Sequence, residues 1–199
     1  MNTVRNSIYM LLEGVDLSGK STIIKSFVAS SQEDWAVRHM SLVDKNPLFE
    51  TARALKKDGS EWIGHLYVEA LEYDLEHFVQ PTKKTLQDST LLLRSLAFHS
   101  AAKFQNVLRK LEVLALQHPQ FDKAYVFTAD LETRRERLRR RKNEGGRITS
   151  NDLKIFSDTS FFLKMERALT EYAVALFGAH VIDTSNLTVG EVVQQIILP

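Results

Sequence analysis

Apolar residues follow two alternating patterns along the chain, and each pattern predicts one kind of element. Short continuous apolar runs are typical of buried strands, whereas apolar residues spaced three and four apart are typical of helices. This alternation predicts an α/β fold of three layers, with a five-stranded parallel sheet and helices on both faces. The predicted strands are Ile8–Leu12, Trp35–Leu42, Lys84–Asp88, Ala124–Thr128 and His180–Asp183. The predicted helices are Ser21–Val28, Leu66–Val79, Leu96–Leu116, Thr133–Lys142, Phe161–Phe177 and Val189–Ile197.

The composition is that of an ordinary globular protein. The 199 residues are 44% hydrophobic and 26% charged, which predicts one domain over residues 1–199. The net charge of +1 predicts no bulk electrostatic attraction to nucleic acid or membranes. The absence of cysteine excludes disulfides, zinc–thiolate sites and cysteine nucleophiles. Because the apolar stretch before Glu13 is too short for a secretory signal or a membrane span, we expect a cytoplasmic enzyme.

A phosphate-binding loop connects the first predicted strand to the first predicted helix. Residues 14–21 read GVDLSGKS, a complete G-x-x-x-x-G-K-S/T pattern in the context that such a loop requires. Backbone N–H groups would surround the β-phosphate, Lys20 would reach the β- and γ-phosphates, and the Ser21 hydroxyl would bind Mg²⁺. We therefore expect a P-loop NTPase fold that uses ATP and Mg²⁺. The expected ATP-binding residues of this loop are Gly14, Asp16, Ser18, Gly19, Lys20, Ser21 and Thr22.

The segment LEGVDLSGKST, residues 12–22, resembles the phosphate loop of thymidylate kinase-like nucleotide kinases, which is usually written F-E-G-x-D-x-x-G-K-S-T. The aspartate inside the loop is the more selective part of this resemblance. In the family that carboxylate contacts the sugar hydroxyl of the acceptor nucleotide, so the resemblance implies the same role for Asp16. The alternative interpretation is a solvated carboxylate on the loop.

The resemblance extends more weakly to the acceptor side of the chain. The family places a base-stacking Phe and a base-binding Arg on one helix, and these positions correspond to Tyr67 and Leu71. Tyr67 keeps an aromatic ring, but Leu71 cannot hydrogen-bond a base, and core packing is the alternative role for both. Arg53, in Phe49-Glu50-Thr51-Ala52-Arg53, resembles the family's E-x-x-R and is a further candidate acceptor contact.

The third predicted strand ends in Asp88-Ser89, where the family has Asp-Arg. The family arginine binds the acceptor phosphate, and Arg94, Lys103 or Arg53 are candidates to replace it. Asp88 could hold Mg²⁺ through water or accept a proton from an acceptor hydroxyl. A carboxylate retained without the arginine favours a nucleoside or other alcohol as acceptor, while helix capping is the alternative role for Asp88.

A strongly basic predicted helix, Thr133–Lys142, follows the fourth predicted strand, as the lid does in nucleoside and nucleotide kinases. Lid arginines stabilise charge on the transferring phosphoryl group. We expect a lid over about residues 134–150 that hinges at Gly145 and Gly146, and its candidate catalytic residues are Arg137, Arg141 and Arg147. The alternative is a basic helix for nucleic acid, which the near-zero net charge disfavours.

Further expectations follow from the same resemblance. The loop after the last predicted strand would frame the adenine with Thr184 and Ser185, largely through backbone contacts. The apolar stretches Leu91–Leu93 and Leu96–Leu116 would serve a homodimer interface. The six histidines show no metal-ligand spacing and are interpreted as structural.

The sequence thus predicts an ATP-dependent phosphotransferase acting on a nucleotide or nucleoside-like acceptor, without a nucleic-acid or membrane partner. Two alternatives remain open. One is a kinase for a non-nucleotide small alcohol on the same fold, and the other is a nucleotide-binding switch without useful turnover.

Overall fold

The computed structural model describes residues 7–55 and 61–197. Its centre is one five-stranded sheet in the order β2-β3-β1-β4-β5, and every neighbouring pair of strands is parallel. This confirms the predicted α/β fold with its five-stranded parallel sheet. The strands are β1 (Tyr9–Glu13), β2 (Ala36–Met40), β3 (Thr85–Thr90), β4 (Lys123–Thr128) and β5 (His180–Asp183).

Helices connect the strands and cover both faces of the sheet. The residues that the structure describes form α1 (Lys20–Ser30), α2 (Pro47–Leu55), α3 (Glu61–His77), α4 (Leu91–Ala102), α5 (Gln105–Ala115), α6 (Leu131–Asn143), α7 (Ser150–Ser157), α8 (Thr159–Phe177) and α9 (Val189–Ile197).

Two apolar cores lie on opposite faces of the sheet, which makes the protein three layers thick. On one face, α1 and α9 cover side chains of β1, β3, β4 and β5. The helices α3, α4, α5 and α8 build the larger core on the other face. Strand β1 is buried along its whole length because it has neighbours on both edges and helices on both faces. The phosphate loop that follows β1 therefore starts from the most rigid part of the sheet.

The prediction of one helix over Leu96–Leu116 is wrong. The chain turns at Lys103, whose φ of 60° is left-handed, and its backbone N–H caps α4 at His99 and Ser100. The helical spacing continues across this break because α4 and α5 each bury an apolar face in the same core. Helices α2 and α7 were not predicted, since both are short, with nine and eight residues.

Burial corrects part of the expected dimer interface. Leu91, Leu92, Leu93 and Leu96 are buried in the core of the chain itself, so they offer no apolar surface to a second copy, whereas Val113 and Leu116 of the same expected interface are exposed. No helix within residues 7–55 and 61–197 is long and apolar enough to cross a membrane.

Candidate active site

The phosphate loop begins at the carboxyl end of β1 and is built around two glycines with left-handed backbone. Gly14 has φ 151°, and a Cβ there would lie 2.6 Å from the carbonyl oxygen of Phe127, so the loop closes against β4 only without a side chain. Gly19, at φ 90°, precedes the first residue of α1, which is Lys20. The loop therefore delivers its backbone to the amino end of a helix, where the helix dipole favours an anion.

Several donors of the loop have no partner in the described part of the chain. The backbone N–H groups of Gly19, Lys20 and Ser21 find no acceptor there, as expected at the start of a helix. The Ser18 hydroxyl is buried and also lacks a partner among these residues. A polyphosphate would satisfy such donors, so the loop fits the phosphates of ATP. Together with Arg94 and Arg141, all the predicted loop residues line one cleft, which we call the phosphate cleft: Gly14, Asp16, Ser18, Gly19, Lys20, Ser21 and Thr22.

Lys20 and Asp88 form an ion pair across the edge of the sheet. The Lys20 ammonium contacts Asp88 Oδ1, and the other carboxylate oxygen, Oδ2, lies 3.1 Å from Nδ1 of His39. Parallel pairing explains this meeting, because β1, β2 and β3 end at the same edge and His39 lies opposite Asp88 in the sheet register. Neither side chain of the Lys20–Asp88 pair is more than 17% exposed.

These two partners keep Asp88 ionised. Burial alone would raise the pKa of Asp88, but the hydrogen bond from His39 and the charge of Lys20 outweigh it and lower the pKa to about 2. The carboxylate is thus a stable anion beside the expected position of the γ-phosphate. Its two oxygens and the Ser21 hydroxyl are the hard oxygen ligands that Mg²⁺ prefers, so this donor set also fits Mg²⁺.

Arg94 brings a guanidinium to the end of β3, where this chain has Ser89 and the kinases that it resembles have an arginine. From α4 it donates Nε to the buried Glu13 at 2.9 Å, and Nη2 to the Gly14 carbonyl and the Ser89 hydroxyl. Glu13 also accepts from the backbone N–H groups of Gly14 and Thr90, which fixes the ion pair. No partner for Nη1 of Arg94 occurs in the described residues, and this group borders the phosphate cleft.

The basic helix α6 anchors the phosphate loop as well as covering it. Arg134 is completely buried, and it donates to the carbonyls of Ala129 and Asp16 and to the Glu166 carboxylate. Arg137 donates to the carbonyl of Leu17 at 2.9 Å and to Thr184. In this conformation both guanidiniums hold the outer side of the loop and do not point into the phosphate cleft.

Arg141 is the arginine of the predicted lid that borders the phosphate cleft. It pairs with Asp152 at 3.0 Å, and Asp152 forms a capping box with Thr149 at the start of α7. This pair links α6, which lies in the predicted lid, to α7, which begins where the predicted lid ends. Arg147 lies exposed on the segment between them.

A second cleft lies on the other side of Asp88, and we call it the polar cleft. It is formed by the carboxyl end of β2 and by α2, and it contains the predicted acceptor contact Arg53. Its charges are mixed, with Asp44 and Glu50 opposing the cations, so it suits a polar molecule better than a bare polyanion. The lining residues are Arg38, His39, Ser41, Val43, Asp44, Lys45, Asn46, Phe49, Glu50 and Arg53.

The two predicted base contacts on α3 have different surroundings. Tyr67 is half-buried, its ring centroid lies 6.4 Å from that of Phe49, and its hydroxyl is close enough to Arg53 for that charge to lower its pKa against the larger raising effect of burial. It therefore lies behind Phe49, which lines the polar cleft, and packs partly against the core. Leu71 is only 1% exposed and packs in the core, so it is a packing residue and not a substrate contact.

Thr184 and Ser185 follow β5 beside the phosphate loop. The Thr184 side chain is buried and bonds the carbonyls of Ser18 and Thr128, both at 2.9 Å. Ser185 turns back to Asp183 and accepts from the backbone N–H of Asp130. Their side chains thus shape this edge of the phosphate cleft mainly by holding neighbouring loops together.

Sequence interpretation missed three residues that shape the site. His39 was interpreted as structural, and its position inside the predicted strand Trp35–Leu42 gave no signal that it would meet Asp88. Asp74 is buried and accepts from Ser41, Leu42 and Asn46, which fixes the loop lining the polar cleft. A carboxylate on the apolar face of α3 was its signal. Nothing in the basic run distinguished the buried Arg134 from its exposed neighbours.

Comparisons with known proteins find similarity in structure only. No protein-family model matches the sequence, and no curated protein matches it. The structure is similar to thymidylate kinase from Candida albicans, with a TM-score of 0.65 and 16% identity over 96% of this chain and 90% of that one. It is also similar to deoxyadenosine kinase from M. mycoides, determined with dCMP and dCDP, with a TM-score of 0.62 and 18% identity over 96% of both chains. The thymidylate kinase from Ehrlichia chaffeensis gives a TM-score of 0.60 and 14% identity over 96% of this chain and 97% of that one. The fold is thus the thymidylate and nucleoside kinase-like P-loop fold.

Proposed function

We propose that the chain is an ATP-dependent phosphotransferase of the thymidylate kinase-like type, which transfers the γ-phosphoryl group of ATP to a nucleotide or nucleoside-like acceptor. The observation that carries this proposal is the position of Asp88 between two clefts. Its Oδ1 faces Lys20 in the phosphate cleft, and its Oδ2 faces His39 in the polar cleft. Nucleotide and acceptor bound in these clefts would meet at one carboxylate.

The residues present account for a transfer step. The acceptor oxygen forms a bond to the γ-phosphorus, the bond to the β-phosphate oxygen breaks, and ADP leaves. Lys20, Arg94 and Arg141 place positive charge along the phosphate cleft, where charge on the phosphoryl group is stabilised. Asp88 takes the proton of an acceptor hydroxyl. Mg²⁺, bound by the Ser21 hydroxyl and through water by Asp88, would neutralise phosphate charge.

A hydroxyl acceptor is the first candidate. A phosphate acceptor is already an anion and needs no base, whereas a hydroxyl gains from the carboxylate that is fixed at this position. The mixed charge of the polar cleft also suits an uncharged sugar or other alcohol. Phe49 lines the polar cleft beside Tyr67 and offers an aromatic ring against which a base would stack, and this supports a nucleoside-like compound over a simple alcohol.

A nucleoside monophosphate is the second candidate, because Arg53 and Arg94 border the two clefts and would bind a phosphate. The names of the similar structures include both a thymidylate kinase and a deoxyadenosine kinase, so the fold is compatible with both acceptor classes. We further expect one domain acting in the cytoplasm, independent of nucleic acid. A homodimer would use a surface other than the buried leucines of α4.

The test is ADP release from MgATP with a panel of nucleosides, nucleoside monophosphates and small alcohols, with Lys20→Ala as the blank. We expect one strong acceptor, and we expect Asp88→Asn to lower kcat for a hydroxyl acceptor by about 10²–10⁴-fold. The same variant should slow a phosphate acceptor far less. If both acceptor classes lose rate equally, Asp88 is not a base. Nucleotide binding without transfer to any acceptor would instead establish a switch.

A further inference from the structure

Lys20 has two possible partners, Asp88 and the phosphates of a bound nucleotide, and it cannot pair fully with both at once. In the free protein its ammonium is paired with Asp88 Oδ1, and Lys20 itself lines the phosphate cleft. A lysine at this position of a phosphate loop must reach the β- and γ-phosphates when nucleotide is bound. The ion pair must therefore open, or the lysine must share its donors, before the loop can hold ATP.

Asp88 is held on its other side by a group that does not face the phosphates. His39 lies across from it in the register of β2 and β3 and contacts Oδ2 from the polar cleft. His39 is the last residue but one of β2 and precedes an irregularity, since the register shifts between His39 and Met40 and Met40 has a φ of 64°. This kink sets the direction in which the chain leaves the sheet after His39. When Lys20 leaves, His39 remains as the partner of the carboxylate.

We propose that Asp88 competes with nucleotide for Lys20, and that His39 is the positioning residue that keeps Asp88 in place when ATP takes the lysine away. ATP binding then frees Oδ1 of Asp88, and an acceptor hydroxyl replaces the lysine there. The binding of ATP and of the acceptor is therefore coupled. ATP strengthens acceptor binding, and the acceptor strengthens ATP binding by the same factor. The statement about the acceptor rests on the proposed function, whereas the competition for Lys20 requires only nucleotide binding.

The competition is tested by nucleotide affinity, measured by isothermal titration calorimetry with adenylyl imidodiphosphate. Titration in EDTA removes any effect of Asp88 on bound Mg²⁺. We expect Asp88→Asn to bind the nucleotide about tenfold more tightly than the wild type, since it loses a charged hydrogen bond that nucleotide otherwise has to break. In a Lys20→Ala background the same substitution should change the affinity much less. Asp44→Asn removes one charge from the polar cleft without touching Lys20, and it should leave the affinity nearly unchanged.

An equal or weaker affinity of Asp88→Asn in EDTA would overturn the competition, provided that circular dichroism shows the variant folded. An affinity gain that persists in the Lys20→Ala background would also overturn it, because the effect would then be general charge repulsion. If the wild type binds nucleotide but transfers no phosphoryl group, the proposed kinase activity is rejected, and the affinities still decide whether Asp88 competes for Lys20.

The role of His39 is tested by nitrogen-15 NMR of the imidazoles, with His39→Gln identifying its signals. We expect an Nδ1–H tautomer bonded to a carboxylate, and a shift of that signal when nucleotide removes Lys20 from Asp88. Asp88→Asn should abolish the response. The charged groups near this imidazole are Asp88 on β3, Lys20 on α1, Arg38 on β2, Asp44 and Lys45 in the following loop, and Glu50 and Arg53 on α2. If the His39 signal changes neither with nucleotide nor in Asp88→Asn, His39 is not a positioning residue.

Discussion

The buried guanidinium of Arg134 provides the sharpest stability prediction, and we consider its replacement by Met. Methionine has a similar length and no donor. The substitution would remove the hydrogen bonds to the carbonyls of Ala129 and Asp16, the ion pair with Glu166 and the stacking on Phe162, where the guanidinium carbon lies 4.9 Å from the ring centroid. Burial lowers the pKa of Arg134 and raises that of Glu166, so each ion depends on the other.

The expected cost is about 3–5 kcal/mol, which is typical for breaking a buried ion pair and leaving one charge behind. This is between about one fifth and all of the roughly 5–15 kcal/mol that stabilises a typical domain. The double variant Arg134→Met/Glu166→Gln should recover part of the cost, because it leaves no buried carboxylate without its cation. The recovery should be incomplete because two carbonyls still lack their donor.

The assay is urea unfolding at pH 7.5, followed by tryptophan fluorescence, because Trp35 is buried and reports on the packing of β2 against α1. Arg139→Met is the matched control, since Arg139 lies on the same helix with a side chain that is 69% exposed. If Arg134→Met and Arg139→Met unfold at the same urea concentration, Arg134 does not anchor the loop. If Glu166→Gln recovers nothing, the ion pair is not the source of the cost.

Two further predictions concern buried histidines. Burial lowers the pKa of His118 to about 4 from 6.5, so between these values the unfolded chain binds the extra proton. The contribution of this site to the unfolding free energy is therefore complete above pH 6.5 and falls by roughly 3 kcal/mol as the pH is lowered towards 4. His118→Phe should show a flatter decline of the unfolding free energy over this range. Parallel declines in the variant and the wild type would contradict the prediction. Gly64→Ala should destabilise by about 1–3 kcal/mol in the same urea assay, because a Cβ there would clash with Nε2 of the buried His99 and lie 3.0 Å from Cγ2 of Val107. Gly190→Ala, on α9 with open space around it, should be neutral or stabilising, and equal effects at the two glycines would refute the packing argument.

The fold was accessible from sequence because its signals are local and agree with one another. Strand β5 and helix α9 begin and end where the apolar pattern predicts, and the other predicted strands overlap the observed ones. The break at Lys103 was not accessible, since both flanking helices bury residues at the same spacing and the left-handed turn falls on a residue without special backbone preference. The spacing of apolar residues predicts which face of a helix is buried, but it does not predict where one helix ends and the next begins.

The phosphate loop could be placed from sequence because its residues are consecutive and their chemistry depends on local backbone. The partners of Asp88 could not, because Lys20, His39 and Asp88 are far apart in sequence and meet only through strand order. The same limit applies to α6, where seven cations look equivalent until packing buries one of them. Charge composition predicts a basic helix beside the phosphate loop and does not distinguish an anchoring arginine from one that contacts phosphate.

Ser89 stands where the kinases that the sequence resembles have an arginine, and the structure brings another guanidinium to the same place. The side chain of Ser89 is too short to reach a phosphate, but its hydroxyl accepts from Arg94, which lies five residues later on the first turns of α4. The guanidinium therefore lies at the carboxyl edge of β3, beside Gly14, although it starts from a different backbone position. Chemistry at this edge requires a cation at a point in space, and the chain can supply it from the strand end or from the following helix. The buried Glu13 then becomes part of the same arrangement, because it orients Arg94 in place of a strand backbone.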